Sequence, residues 1–284
     1  TLSTDLLWEY PIQQLNSTNQ IYRFDPPAKA LAIGPLGITI ELHSGELKDI
    51  RELERSNSPF TALSSNCYFS LFDSNPFCME EAHPDKEGNL TQLGDHSVSD
   101  WVDSLQNAME VIEEYLPEWW NEFDLYMNRI VPVGFYPQMH LSASYTESPG
   151  LAYLSLHPDP LTMAEAIIHE SQHSKINILH RIDPIIHNGL SEWTTSPIRP
   201  DLRPLWGVLL ALHAFVPVAA FHRRLQESKH PWALKPQFTD RRREVWKKNQ
   251  EALTVLEEKA QMTAIGSSIL TGLKQLHFAT VPPQ

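Results

Sequence analysis

The sequence is short of positive charge, of cysteine and of long apolar runs, and each scarcity narrows what the chain can be. Against 35 Asp and Glu stand 22 Lys and Arg, a formal net charge of -13. Attraction to phosphate backbones or anionic lipid is therefore unfavourable, and neither nucleic acid nor a membrane surface is an expected partner. The one basic run, Arg241, Arg242 and Arg243 with Lys247 and Lys248, lies in a Glu-containing, helix-forming stretch and reads as a solvated helix face. The two cysteines, Cys67 and Cys78, sit in a chain too large to need a staple, so reduced thiols are expected. No run of about 18 apolar residues occurs. The first ten residues, TLSTDLLWEY, lack the basic and apolar regions of a signal peptide. A cytoplasmic location is the expectation, with Thr1 in place of an initiator Met leaving room for a processed segment upstream.

What is present suits a globular α+β fold. A hydrophobic fraction of 42% over 284 residues can fill a substantial core. No repeat or clean linker appears, so residues 1–284 read as one domain. Residues 1–56 form an irregular N-terminal arm and one strand, Ile38 to Leu42. Residues 57–160 hold Ser/Asn/Pro/Gly-rich loops with a buried strand at Tyr68 to Phe72, then helices and strands. The spacing of Trp101, Leu105, Met109, Ile112 and Leu116 predicts an amphipathic helix that Pro117 ends or kinks, with a second helix over Trp119 to Met127. Ile130 to Tyr136, Met139 to Tyr145 and Leu151 to His157 then predict a three-strand meander, a short mixed or antiparallel sheet. In 161–284, Thr162 and Glu165 have the spacing of a capping box for a helix running to about His180. An apolar helix from near Pro204 to Leu225, with Pro217 as the expected kink site, and two more over Asp240 to Met262 and Ile265 to Leu276 make the C-terminal half predominantly helical.

The chemistry concentrates in the run HESQH. Residues four apart on a helix share a face with Cβ atoms about 6 Å apart. His169 and His173 can therefore both place an imidazole nitrogen about 2.1 Å from one ion. Glu170 lies about 100° round the helix, where a carboxylate can act as general base or orient a ligand without binding the metal. Thirteen histidines make a chance match conceivable, but the motif falls in a helix directly after a strand, the context it requires.

A third ligand is needed. His180 lies about 10 Å further along the axis, too far to share the ion. The metzincin pattern needs Gly and His where Ile176 and Leu179 stand, which removes that class. Glu192 follows His173 by nineteen residues, the spacing at which gluzincin metallopeptidases supply their carboxylate, and is favoured; His213, on an apolar helix, is its rival. Two His and one carboxylate serve hydrolytic zinc and oxygen-activating iron alike. A structural zinc is disfavoured, because such sites are closed by four Cys or His ligands. An iron(II) enzyme using a 2-oxo acid also needs a cation for the distal carboxylate, and the Ser196 to Pro204 loop offers Arg199 and Arg203. Trp119, Trp120 and Tyr115 read as core packing, and His83, His140 and His157 as cavity lining at most.

Several runs together carry a resemblance: Asp73-Ser74-Asn75-Pro76, His83-Pro84-Asp85-Lys86, Ile130 to Gly134, Ser142-Ala143-Ser144, Glu147 to Gly150, Ala164 to Lys175 and Arg199 to Pro204. Over about residues 70–225 the chain resembles the HExxH-type peptide-modification proteins that accompany clusters for ribosomally made natural products. The resemblance implies an iron(II)- and 2-oxoglutarate-dependent dioxygenase that uses molecular oxygen to hydroxylate the β-carbon of a side chain in a precursor peptide. His169 and His173 would hold iron, and Arg199 or Arg203 would clamp 2-oxoglutarate. The alternative on the motif alone is a zinc metallopeptidase of gluzincin type with Glu170 as general base.

Overall fold

The computed structural model describes residues 6–8, 12–17, 20–34, 37–52, 60–73, 75, 89–195 and 202–282. It divides the chain into two compact units, 1–61 and 62–284, with the boundary inside the short strand Phe60–Ala62. Each unit is described by itself.

Among its described residues the first unit is built of strands, with one 3-10 turn at Ile50–Glu52. β1 (Leu6–Trp8), β4 (Ala30–Gly34), β5 (Gly37–Glu41) and β6 (Leu47–Asp49) form an antiparallel sheet in the order β1-β4-β5-β6, around buried Ala28, Leu31 and Ile40. β2 (Ile12–Ser17) and β3 (Gln20–Ala28) form a separate antiparallel pair. The expected irregular N-terminal arm is thus corrected to strands at Leu6–Trp8, Ile12–Ser17, Gln20–Ala28 and Ala30–Gly34. Pro26 and Pro27 fall where the β2–β3 register breaks between the Ile12–Ala28 and Gln14–Arg23 pairs, so the ladder loses no donor there.

The second unit begins, after β7 (Phe60–Ala62), with β8 (Tyr68–Ser70), followed by α1 (Val98–Tyr115) and α2 (Pro117–Tyr126). Ser97 caps α1, accepting from the Asp100 N–H while the Asp100 carboxylate accepts from the Ser97 N–H, a complete capping box. Pro117 ends one helix and starts the next from its first position, where a missing N–H costs nothing. β9 (Arg129–Phe135), β10 (Ser142–Ser144) and β11 (Leu151–Leu156) join β8 in the order β10-β11-β9-β8. The meander is corrected here: β11 runs parallel to β9, and only β10 pairs with β11 in the antiparallel sense. All six residues of β11 are buried, as expected of a strand covered on both faces.

Helix α3 (Pro160–Ile182) crosses the centre of this unit, buried for most of its length. Ile167, Ile168 and Met163 pack with Trp101, Leu105 and Phe221 in the main core. Its start is three residues earlier than Thr162 suggested, because Pro160 takes the first turn and the Asp159 carboxylate accepts the Leu161 N–H. β12 (Trp193–Thr195) and β13 (Leu202–Pro204) form a small antiparallel ribbon that leads into α4 (Leu205–Glu227). α5 (Phe238–Lys259) and α6 (Ala264–Ala279) close the chain, giving the α+β fold with the helical C-terminal half expected. α4 is long and apolar enough to cross a membrane by length and composition, with a mean hydropathy of 1.7, but 67% of that window is buried in protein. Its apolarity is that of a core helix, packed with α3 residue Ile176 and with Leu253 and Leu256 of α5.

Candidate metal centre

Three turns into α3, the four-residue spacing does what the pattern required. The His169 and His173 rings lie with centroids 4.3 Å apart at 79°, and both line a cavity of about 440 Å³ between α3, α4 and the β10 side of the sheet. Phe215 of α4 packs against the His169 ring at 4.5 Å, which restricts its rotation. Both rings bury Nδ1 within the protein, so Nε2 is the nitrogen left to face the cavity. His173 Nδ1 has no hydrogen-bond partner. Burial pushes the pKa of His173 down, opposed by the nearby Glu170 charge, and the neutral ring that results is the form that ligates a metal. Two imidazoles on one cavity wall fit a borderline divalent ion such as iron(II) or zinc.

Glu170 is placed differently from a base that shares water with the ion. Its carboxylate is 2% exposed, does not line the cavity, and accepts a 2.6 Å hydrogen bond from Ser144 Oγ of β10. The β10–α3 contact is thereby fixed through a buried charged hydrogen bond, the stronger class.

Arg203 lines the same cavity as the two histidines, brought there by the pairing of Thr194 with Arg203 across the β12–β13 ribbon. Arg199 lies outside the described residues, as do Cys78 and His83. The two candidate third ligands do not join the pair. Glu192 is exposed at the entry to β12, where its carbonyl accepts the Leu205 N–H, and it does not line the cavity. His213 is 5% exposed and lines a second cavity instead. Its pKa is pushed down to about 3, chiefly by burial and then by the charges of Lys175 and His173. Among the described residues, no three His, Cys, Asp or Glu side chains come close enough together to hold an ion. Among the described residues the structure assembles two protein donors, not three.

Two residues of the cavity wall, Glu165 and Arg241, carry no site role in the sequence reading, and a third, His140, is there as the cavity lining that was expected. Glu165, expected in a capping box, instead sits one turn before His169 on the same face, in the cavity wall. Burial alone would raise its pKa, but His222 and Arg241 outweigh that and hold it down at about 2. His222 Nε2 lies 2.7 Å from Glu165 Oε1, while Arg241 Nη2 and Nε donate to Oε2 at 2.6 and 3.0 Å. Arg241, read as part of a solvated face, thus closes the cavity from α5. The helical offset of four from Glu165 to His169 was the available signal. His140 also lines the cavity, its Nδ1 3.2 Å from Ser155 Oγ and its buried Nε2 without a partner. Burial first, and then His157, push its pKa down to about 4 against the pull of Glu165, so this ring too is neutral.

The cavity therefore combines three imidazoles, two guanidinium groups and one carboxylate that is already ion-paired. Such a wall can take a metal from His169 and His173 and an anionic ligand from the Arg203 side. The chain matches no protein-family model and no curated protein sequence.

Proposed function

We propose that the protein is a non-haem iron(II)- and 2-oxoglutarate-dependent oxygenase that hydroxylates a side-chain carbon, at the β position, of a ribosomally made precursor peptide in natural-product biosynthesis. The observation that carries this reading is the division of labour around α3. Arg203 shares the cavity with His169 and His173, whereas Glu170 is turned out of it onto Ser144. A peptidase needs its general base within reach of the attacking water. An oxygenase needs a cation within reach of the co-substrate's distal carboxylate.

In this reading His169 and His173 hold the metal, and Arg203, with Arg199 as the resemblance implies, binds the distal carboxylate of 2-oxoglutarate. The bound iron(II) supplies the activation of oxygen, and the co-substrate is consumed as succinate and carbon dioxide while one oxygen atom enters the C–H bond of the peptide. Phe215 and Met139 give the cavity apolar surface that limits water around the reacting carbon. Glu170 and Ser144 hold α3 against β10 and so keep the histidine pair in place. The reading places the protein in the cytoplasm, where thiols and ferrous iron remain reduced.

Anaerobic addition of iron(II) and 2-oxoglutarate should produce a metal-to-ligand charge-transfer band, and exposure to oxygen should yield succinate. Absence of the band together with zinc-dependent peptide cleavage would replace this reading by the gluzincin-type one.

A further inference from the structure

The α4 wall of the histidine cavity grows in bulk toward the metal pair. Gly207, Ala211 and Phe215 follow one another at a spacing of four, so they share a face of α4, and all three line the cavity. Phe215 lies against the His169 ring. Gly207, about 12 Å back along the helix axis, lies beside Arg203. The stripe is thus closed by an aromatic ring at its metal end and left as bare backbone at its arginine end.

The protein's own packing does not require glycine at 207. It is the third residue of α4 and the one glycine in that helix. Its φ lies outside the left-handed region that favours glycine. A Cβ added there would meet Arg203 Cδ at 3.7 Å, and Arg203 Cβ and Pro204 Cδ at 3.9 Å, as its nearest described neighbours; these are ordinary van der Waals contacts. Alanine would fit without displacing anything and would reduce the entropy lost on forming the helix. What glycine keeps, and alanine would fill, is cavity space on the wall beside Arg203.

We infer that Gly207 reserves the space in which the far end of the anionic co-substrate meets Arg203, and so fixes the length of 2-oxo acid that the site accepts. The inference rests on the reading that Arg203 binds the distal carboxylate. Gly207 is then a specificity-determining residue. The five-carbon diacid 2-oxoglutarate extends over its Cα, and a side chain there shortens the cavity from the Arg203 end. The four-carbon diacid oxaloacetate, held at the same metal end, reaches less far and meets that side chain less.

The full chain, loaded anaerobically with iron(II), is titrated with 2-oxoglutarate and with oxaloacetate by following the charge-transfer band; thermal unfolding is measured without iron or either acid. Gly207→Ala should keep the wild-type iron content and raise Tm by about 1–4 °C, the gain from replacing an unneeded helical glycine in a unit of this size. It should weaken 2-oxoglutarate roughly tenfold, as an extra methyl group does in a filled space, and oxaloacetate by a smaller factor. A glycine that served packing alone would instead show a lowered Tm and an unchanged ratio of the two affinities, and either result overturns the inference. So does an undiminished 2-oxoglutarate affinity in Gly207→Ala when the wild type gives the band. No band in the wild type removes the reading of the site itself, and the inference with it.

Discussion

Replacement of Glu170 by Gln separates the two chemistries that an HExxH helix can support. Gln keeps the shape of the side chain and an oxygen that can still accept the Ser144 hydroxyl proton. It loses the charge of the acceptor and adds two N–H donors at a position that is 2% exposed. A hydrogen bond to a charged group contributes about 1.5–3 kcal/mol, against about 0.5–1.5 kcal/mol for a neutral pair, so the loss is about 1–2 kcal/mol. For a unit of this size that corresponds to a fall in Tm of about 2–8 °C. Both imidazoles remain, so metal content after anaerobic loading, measured by elemental analysis, should stay near that of the wild type. If Glu170 only braces α3 against β10, formation of succinate from 2-oxoglutarate should fall by less than roughly tenfold, because no proton passes through it. A general base would instead be worth about 10²–10⁴ in rate. A folded, metal-loaded variant slower by a hundredfold or more would refute the bracing role, and so would a folded variant that no longer holds metal.

Arg203→Ala should leave the iron content unchanged and weaken 2-oxoglutarate roughly 30-fold or more, the effect of removing one partner of a buried charge pair; anaerobic titration of the charge-transfer band measures this, and an unchanged affinity would clear Arg203 of the role. Gly266→Ala should cost about 3 kcal/mol or more, because its Cβ would lie 1.9 Å from the Ile185 carbonyl oxygen that also accepts the Thr263 N–H; urea denaturation with a midpoint equal to that of the wild type would contradict this packing. Glu165 has its pKa lowered from 4.5 to about 2, so the stability it contributes is fully present above about pH 4.5 and is lost as the pH falls toward 2. Glu165→Gln should therefore be less stable than the wild type at pH 7 and should lose less stability between pH 4.5 and 2, a difference visible in urea midpoints taken at pH 7 and pH 3.

Much of the second unit can be read from local pattern because its decisive signals are local. The period of Trp101, Leu105, Met109 and Ile112 is enough to place α1, since all four are buried on one stripe. Pro117 marks the α1–α2 junction by a steric rule that needs no partner. His169 and His173 are fixed to one face by helix geometry alone. What depends on distant partners was not legible. Strand direction is such a case: β9 and β11 have the apolar character of strands, but nothing within either says that they run parallel, and it is the intervening β10 pairing back onto β11 that makes them so. Glu165 is another, since a Thr162–Glu165 spacing looks the same whether the carboxylate caps a helix or meets His222 and Arg241, 57 and 76 residues away.

The same contrast explains why the sequence could propose two arginines and miss the one that changes their meaning. Arg203 and Arg241 both line the histidine cavity, and a count of charges alone would make either a clamp for an anion. Their surroundings differ. Arg241 gives Nε and Nη2 to one oxygen of Glu165 and Nη1 to Glu244, so a ligand carboxylate reaching it would have to displace a buried carboxylate that His222 also holds. Breaking a buried pair costs about 3–5 kcal/mol, comparable with all that a new charge pair returns. Arg203 stands half-buried on a two-stranded ribbon, with contacts of its own, and is not one of the groups that hold Glu165 down. The cluster around Glu165 thus acts on the site indirectly. By occupying Arg241 it removes one guanidinium from those that an anion in this cavity could reach, and by tying α5 to α3 it holds the wall on which His169 stands.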